Sequence, residues 1–266
     1  MRLRIHHQTS YRYDAPVQYA LQQLRLRPKP GTGQSVLEWK LDIDGGRQEL
    51  EFQDHHGNLV DLVSIDPGQH ALHIRCDGEV ETLDQAGIVG RHDGPAPLWY
   101  FERNTELTRP GPGTRKLVNA LGSDHETEVA RLHALSGLVL ETICYESDRT
   151  HAETTAEQAL AAGHGVCQDH AQAFIAGARL LGYPARYVSG YLMMNDRVDQ
   201  EASHAWAEVH LEGIGWVGFD IANGISPDER YVRVATGLDY RDASPISGLR
   251  LGDSAESMVV TLQVEQ

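Results

Sequence analysis

The stretch GVCQDHAQAFIAGARLL, residues 165–181, carries the clearest helical pattern in this chain of 266 residues. Five of its residues recur at steps of four and three, the spacing of one buried helix face: Cys167, Ala171, Phe174, Ala178 and Leu181. Gly182 and Pro184 then supply a stop signal. The pattern predicts a helix from Cys167 to Leu181, with Cys167 on the buried face of its first turn.

This position suits a nucleophilic thiol. The N-terminus of a helix presents unpaired N–H groups and partial positive charge, and both favour a thiolate. Gly165, two residues earlier, would allow an unusual backbone and the close approach of a substrate. A buried free cysteine is also often no more than a small apolar side chain. Position alone therefore leaves both interpretations of Cys167 open.

His204 and Asp220 are the candidate base and orienting carboxylate for this thiol. A cysteine nucleophile needs a base, and the base needs a group that fixes its tautomer. Two strand-like segments, 204–211 and 216–221, carry these residues. A strand-initial histidine and a turn-capping aspartate are also common structural features. The occurrence of both after Cys167 is what favours the catalytic interpretation.

The alternation of these two segments limits how they can pair. The smaller apolar residues and Phe219 fall at odd positions, so His204 and Asp220 share the other face with Trp206 and Trp216. Directly opposed residues on one face must then have an even sum of residue numbers, which a two- or four-residue loop cannot give. We therefore predict a three- or five-residue loop, or a bulge, around residues 212–215.

The rest of the chain divides into three predicted parts. Residues 1–86 contain short alternating runs between turn signals, which predicts a β-sandwich-like domain. Residues 87–113 are rich in glycine and proline and are predicted to be a linker. Residues 114–266 hold helical segments, then antiparallel strands, and end in a C-terminal strand. This order predicts an α+β catalytic domain.

Four motifs resemble those of the bacterial transglutaminase-like superfamily, whose members are often described as candidate cysteine proteases. They are GVCQDHA at 165–171, GYPARYVSGY at 182–191, HAW at 204–206 and WxxxD at 216–220. The motif DxxGN at 54–58 resembles the β domain that often precedes that core. The resemblance implies a papain-like, transglutaminase-like core. The chain departs from the family's usual Asp-Pro-Thr-Asn by having DIAN at 220–223.

The resemblance also implies roles for individual residues. Cys167 would be the nucleophile, His204 the base and Asp220 the orienting group of a Cys-His-Asp triad that acts on an amide through a thioester. The Cys167 N–H would be one oxyanion donor, and Tyr145 is the candidate for the second. Gln168 and Trp206 would flank the site, with Trp206 either lining an acyl channel or packing against the sheet. No cofactor is implied.

Composition restricts the expected partners and compartment. Acidic residues outnumber basic ones by 38 to 23, giving a net charge of −15, so neither nucleic acid nor a membrane is an expected partner. We expect a peptide or protein amide as substrate. Three cysteines cannot form a disulfide framework, and residues 1–13 lack the apolar segment of a signal peptide. These features predict a cytoplasmic protein in which Cys76 and Cys144 are buried, inert thiols.

Three alternatives remain at this point. His164, Cys167 and His170 could bind zinc, but no second Cys/His pair has ligand spacing, so no metal is predicted. A triad can also be retained on a fold used for binding or assembly. Finally, the thioester could be resolved by an amine, as in protein cross-linking, instead of by water. Hydrolysis is favoured because water is always present.

Overall fold

The computed structural model describes residues 1–252 and 255–266. The strands are β1 (Arg2–Tyr13), β2 (Tyr19–Leu24), β3 (Gln34–Asp44), β4 (Gly46–Gln53), β5 (Leu59–Ile65), β6 (Ala71–Thr82), β7 (Ile88–Gly90), β8 (Cys144–Tyr145), β9 (His164–Gly165), β10 (Ala185–Leu192), β11 (Asp199–Gln200), β12 (His204–Leu211), β13 (Gly215–Phe219), β14 (Tyr231–Gly237), β15 (Ile246–Leu251) and β16 (Glu256–Glu265). The helices are α1 (Pro112–Leu121), α2 (Glu128–Thr142), α3 (Ala156–Ala162), α4 (Cys167–Leu180) and α5 (Tyr240–Ala243). None of the helices in this part of the chain has both the length and the apolar character required to cross a membrane.

The N-terminal part of the chain is rich in strands, as the sequence predicted. β1, β6 and β3 are neighbours in one antiparallel sheet, and β2, β5 and β4 are neighbours in a second. Residues of β1 alternate between buried and more exposed positions, because one face of its sheet packs inward. Apolar side chains of both sheets meet in one core, which contains Leu24, Leu72 and the fully buried Cys76.

The last two strands lie elsewhere than predicted. The sequence assigned residues 114–266, with their C-terminal strand, to the catalytic domain. In the structure β15 pairs with β2, and β16 pairs with β1 along ten residues, so both strands complete the N-terminal sheets. β7, within the predicted linker, pairs with β13. Alternation in the sequence identifies a strand but not the sheet that the strand will join. The predicted ranges 1–86, 87–113 and 114–266 therefore do not coincide with the sheets of the structure.

The central part of the chain is a layer of helices on an antiparallel sheet, which confirms the α+β prediction. The sheet order is β14-β10-β12-β13-β7. The helix α4 packs against one face of this sheet, which we call the helical side. The Phe174 ring of α4 lies 5.2 Å from that of Phe219 in β13. α4 begins at Cys167 as predicted, and its residues 169–179 are all buried. Its apolar stripe is therefore the centre of the core.

The loop between β12 and β13 has the predicted odd length. Ala207 pairs with Phe219 and Leu211 with Gly215, so the sums of paired residue numbers are even and three residues, 212–214, form the loop. Gly213 and Gly215 both adopt positive φ angles, which glycine accepts without strain. The odd residues of both strands face α4, and the even residues face the opposite side.

Two carboxamides attach the N-terminal half to the outer edge of β14. The Gln34 side chain donates to the Arg233 carbonyl oxygen and accepts from the Arg233 N–H, both at 2.8 Å. Asn58 makes the same pair of bonds with Thr236, again at 2.8 Å. The Asp54 carboxylate accepts from both nitrogens of Asn58 and thereby orients it. The DxxGN motif thus satisfies backbone groups of β14, the edge strand of the core sheet in the described part of the chain.

We predict that His7 makes folding sensitive to acid. Burial, with a smaller effect of His6, lowers the pKa of His7 from 6.5 to about 4. Between these values only the unfolded chain takes up the proton, so stability is lost as pH falls below 6.5. We expect a loss of about 3 kcal/mol between pH 7 and pH 4 from this group. Urea unfolding at both pH values should show a smaller loss in His7→Gln, and an equal loss would contradict the prediction.

Candidate active site

The N-terminus of α4 is built around the carboxylate of Asp169. One oxygen, Oδ2, accepts from the Val166 N–H at 2.8 Å and from the Thr150 hydroxyl at 2.7 Å. A Cβ at Gly165 would lie 2.7 Å from this oxygen, so glycine makes room for the carboxylate. This steric reason replaces the predicted one, which was an unusual backbone near a substrate. Cys167 is consequently held at the first position of the helix, partly exposed.

His204 stands between Cys167 and Asp220. Its Nε2 lies 2.6 Å from Asp220 Oδ2, which leaves Nδ1 available to face Cys167, whose thiol lies close enough to influence the pKa of the ring. Burial alone would lower the pKa of His204, but the bonds to Asp220 and Cys167 outweigh burial and raise the pKa from 6.5 to about 10. The raised pKa favours the imidazolium form of the ring. The structure thus brings together the three residues predicted to form the triad.

The Asp220 carboxylate is fully buried and receives two further donors that the sequence had not identified. The Tyr231 hydroxyl donates to Oδ2 at 2.6 Å and the Asn223 carboxamide donates to Oδ2 at 2.7 Å. Burial raises the pKa of Asp220, but the bonds from His204, Tyr231 and Asn223 outweigh burial and lower it below its usual 3.8. Asn223 was visible in the DIAN motif. Tyr231 carried no sequence signal, because only the tertiary fold brings β14 to this site.

The departure from Asp-Pro-Thr-Asn does not prevent the turn after β13. The Asp220 N–H donates to the Ile225 carbonyl oxygen, and the Ile225 N–H donates back to Asp220. The Asn223 N–H lies 3.3 Å from Asp220 Oδ1. Asp220 is therefore held by its own turn as well as by its side-chain partners.

A cleft of about 730 Å³ opens beside Cys167. One side of the cleft includes Tyr145, Gln168 and His204. The other side includes Tyr11 of β1 and Val260 of β16, the C-terminal strand that pairs with β1. Tyr145 belongs to β8, which pairs with β9 just before α4, and this pairing brings it to the cleft. Burial, then the nearby Cys167, raises the pKa of Tyr145, so its hydroxyl keeps its proton at neutral pH.

Trp206 packs behind the site, in agreement with the second of its two interpretations. It is 2% exposed, and its ring stacks on that of His204 with centroids 6.2 Å apart. The Tyr231 ring meets it edge-on at 5.5 Å. Trp206 therefore supports the imidazole from the protein side.

The other two cysteines differ from each other. Cys76 is buried as predicted, and burial raises the pKa of its thiol to about 12. Cys144 is exposed, so its interpretation as a buried thiol is wrong. β8 runs along the surface, whereas the preceding Ile143 turns into the core.

His164 and His170, the two histidines of the zinc alternative, have backbone partners. His170 is buried, and its two ring nitrogens each lie 2.9 Å from a backbone oxygen, of Val166 and of Ile143. His164 pairs with Cys144 between β9 and β8. Within residues 1–252 and 255–266, no three His, Cys, Asp or Glu side chains converge in a way that could hold a metal ion.

Family models match two parts of the chain. Residues 115–221, which contain Cys167, His204 and Asp220, match the transglutaminase-like superfamily. Residues 3–81 match the bacterial transglutaminase-like N-terminal region. The two matches together cover more than half of the chain, and they agree with the resemblance seen in the motifs.

Relatives and one solved structure match along almost the whole chain. An uncharacterized protein of Mycobacterium leprae is 25% identical over 99% of this chain and 98% of its own length. One of Mycobacterium bovis is 28% identical over 97% of this chain and 90% of its own. The structure of a candidate cysteine protease from Cytophaga hutchinsonii covers all of this chain and 91% of its own, with a TM-score of 0.78 and 21% identity. By its two matched regions and its fold, the chain belongs to the transglutaminase-like superfamily and carries the N-terminal region of its bacterial members.

Proposed function

We propose that this protein is a cysteine-dependent amidase or peptidase that cleaves an amide through a thioester on Cys167. The observation that carries the proposal is the chain of contacts from Cys167 through His204 to the buried Asp220, at the edge of an open cleft. Membership of the superfamily supports an enzymatic role, as does the fold shared with a candidate cysteine protease.

In the proposed reaction the Cys167 thiolate attacks the carbonyl carbon of the amide. A C–S bond forms, the C–N bond breaks, and His204 gives its Nδ1 proton to the leaving amine. Water then attacks the thioester and passes a proton back to His204, and the C–S bond breaks to release a carboxylic acid. Asp220 holds the ring orientation and stabilises the imidazolium throughout.

The tetrahedral intermediates need donors for their oxyanion. The Cys167 N–H lies in the first turn of α4, where backbone N–H groups have no partner within the helix. We propose Tyr145 as the second donor, because it lines the cleft and its hydroxyl stays protonated. Gln168 also lines the cleft, but its amide is directed to the Ala152 carbonyl oxygen at 3.4 Å.

Hydrolysis is favoured over amine transfer because Cys167 is partly exposed in an open cleft, where water has access to a thioester. The low, odd cysteine count fits a reducing environment, so we propose that the protein works in one, such as the cytoplasm. A peptide or protein amide is the proposed partner.

The first prediction from this proposed function concerns the product. Incubation with a peptide library should give carboxylic acid products, and Cys167→Ala should abolish them while Cys144→Ala leaves them unchanged. Mass spectrometry with and without a primary amine distinguishes the two fates of the thioester. Amide products that dominate in the presence of amine would favour transfer over the proposed hydrolysis.

The second prediction concerns the thiol itself. An ordinary thiol is only about 1% ionised at pH 6.5 and reacts slowly with iodoacetamide. We expect Cys167 to react at least about tenfold faster than the exposed Cys144 at this pH, and His204→Ala to remove the difference. Peptide mass spectrometry measures each cysteine separately. If Cys167 reacts no faster than Cys144 in the unaltered protein, a binding or assembly role becomes the better interpretation.

The third prediction concerns Tyr145. Tyr145→Phe should lower kcat about tenfold to a hundredfold on any peptide that the protein cleaves, with little change in KM, because an oxyanion donor acts in the transition state. Tyr19→Phe, at an exposed tyrosine of β2, is the matched control. A kcat equal to that of the control would exclude Tyr145 as the donor.

A further inference from the structure

Asp220 Oδ2 accepts more hydrogen bonds than one orienting contact requires. Besides His204 Nε2 at 2.6 Å, it accepts from the Tyr231 hydroxyl at 2.6 Å and the Asn223 amide at 2.7 Å. A fully buried carboxylate tends to take up a proton, because charge is costly away from water. Donors that favour its ionised form oppose this tendency. Asn223 comes from the same turn, whereas Tyr231 comes from a different strand.

Two contacts hold Tyr231 in place, one from its ring and one from its backbone. Its ring packs edge-on against Trp206, which in turn stacks on His204. Gly190 of β10 makes this possible, since a Cβ there would lie 2.7 Å from the Trp206 ring. The Tyr231 N–H donates to the Asp228 carbonyl oxygen. These contacts accompany the hydrogen bond from the Tyr231 hydroxyl to Asp220.

The N-terminal half fixes the strand that carries this tyrosine. The carboxamides of Gln34 and Asn58 each pair with both backbone groups of one β14 residue. Among residues 1–252 and 255–266, β14 is the edge strand of the core sheet on this side. The position of Tyr231 thus depends on residues far away in the chain, since Asn58 and its partner Thr236 are 178 residues apart.

We propose that Tyr231 is a positioning residue that keeps Asp220 ionised and directed at His204, and that the N-terminal half contributes to the site by holding β14. The proposal rests on the triad proposed above. Other titratable groups around Asp220 and Tyr231 are His204, Cys167 beyond it, Tyr145 and Asp228. Of these groups, His204 and Tyr231 bond the Asp220 carboxylate directly, and Tyr231 is the one that lies outside the proposed triad.

The test is the pH dependence of Cys167 alkylation by iodoacetamide, which needs no known substrate. Tyr231→Phe removes only the hydroxyl, so Asp220 should protonate at a higher pH and the imidazolium should lose its partner sooner. We expect the acid limb of the rate profile to move up by about one pH unit, with less than about a twofold change in rate at pH 7. Tyr13→Phe, in the core of the N-terminal half, is the matched control and should leave the limb unchanged.

A second substitution tests the opposite direction. 3-Fluorotyrosine at position 231 is a stronger hydrogen-bond donor with the same shape, so the acid limb should move to lower pH. A purely structural role for the ring would not move the limb in opposite directions in the two variants. Protection of the buried Cys76 from the same reagent reports that each variant is folded.

The outcomes separate this proposal from the proposed function. If His204→Ala leaves Cys167 alkylation unchanged, the nucleophile–base pair is wrong and the role of Tyr231 is wrong with it. If His204→Ala slows alkylation but neither change at position 231 moves the acid limb, only the role of Tyr231 is overturned.

Discussion

The even-sum register between β12 and β13 is the constraint on which the site depends. A side chain alternates faces at every residue of a strand, so one residue of slippage would reverse every position of the hairpin. The three-residue loop at 212–214 sets the register, with Ala207 opposite Phe219. Apolar odd residues then cover α4, while His204 and Asp220 lie together on the other face. The same loop therefore determines both the packing of the core and the geometry of the candidate triad.

Both faces of this sheet are covered, and the two covers differ in chemistry. The helical side is apolar and closely packed, with Phe174 against Phe219. The other side carries buried polar groups that must all find partners, because unsatisfied groups there are costly. Glu208, fully buried, is paired with Arg186 and Arg233. The Asp220 carboxylate likewise accepts hydrogen bonds from His204, Tyr231 and Asn223. The chemical face is thus stabilised by hydrogen bonds and ion pairs, and the helical face by apolar contacts.

The N-terminal half is part of this arrangement and not an appendage. Residues of β1, and of β16 which pairs with it, form one side of the cleft. The Gln34 and Asn58 carboxamides bond the outer edge of β14. His7 of β1 also contacts the Tyr191 hydroxyl of β10 at 2.9 Å. Cleft, edge strand and candidate triad are consequently parts of one packed unit.

The sequence alone determined the features that depend on local pattern. Periodicity identified α4 and its Cys167 start, alternation identified β12, and parity required the odd loop that places His204 and Asp220 on one face. Tertiary structure decided what no local pattern records. The fold brings Tyr231 to Asp220, and it places Asp169 in the space left by Gly165. It also leaves Cys144 on the surface and joins β15 and β16 to the N-terminal sheets. The physical reason is that periodicity shows which face of an element is buried, whereas the partner on that face depends on elements far away in the chain.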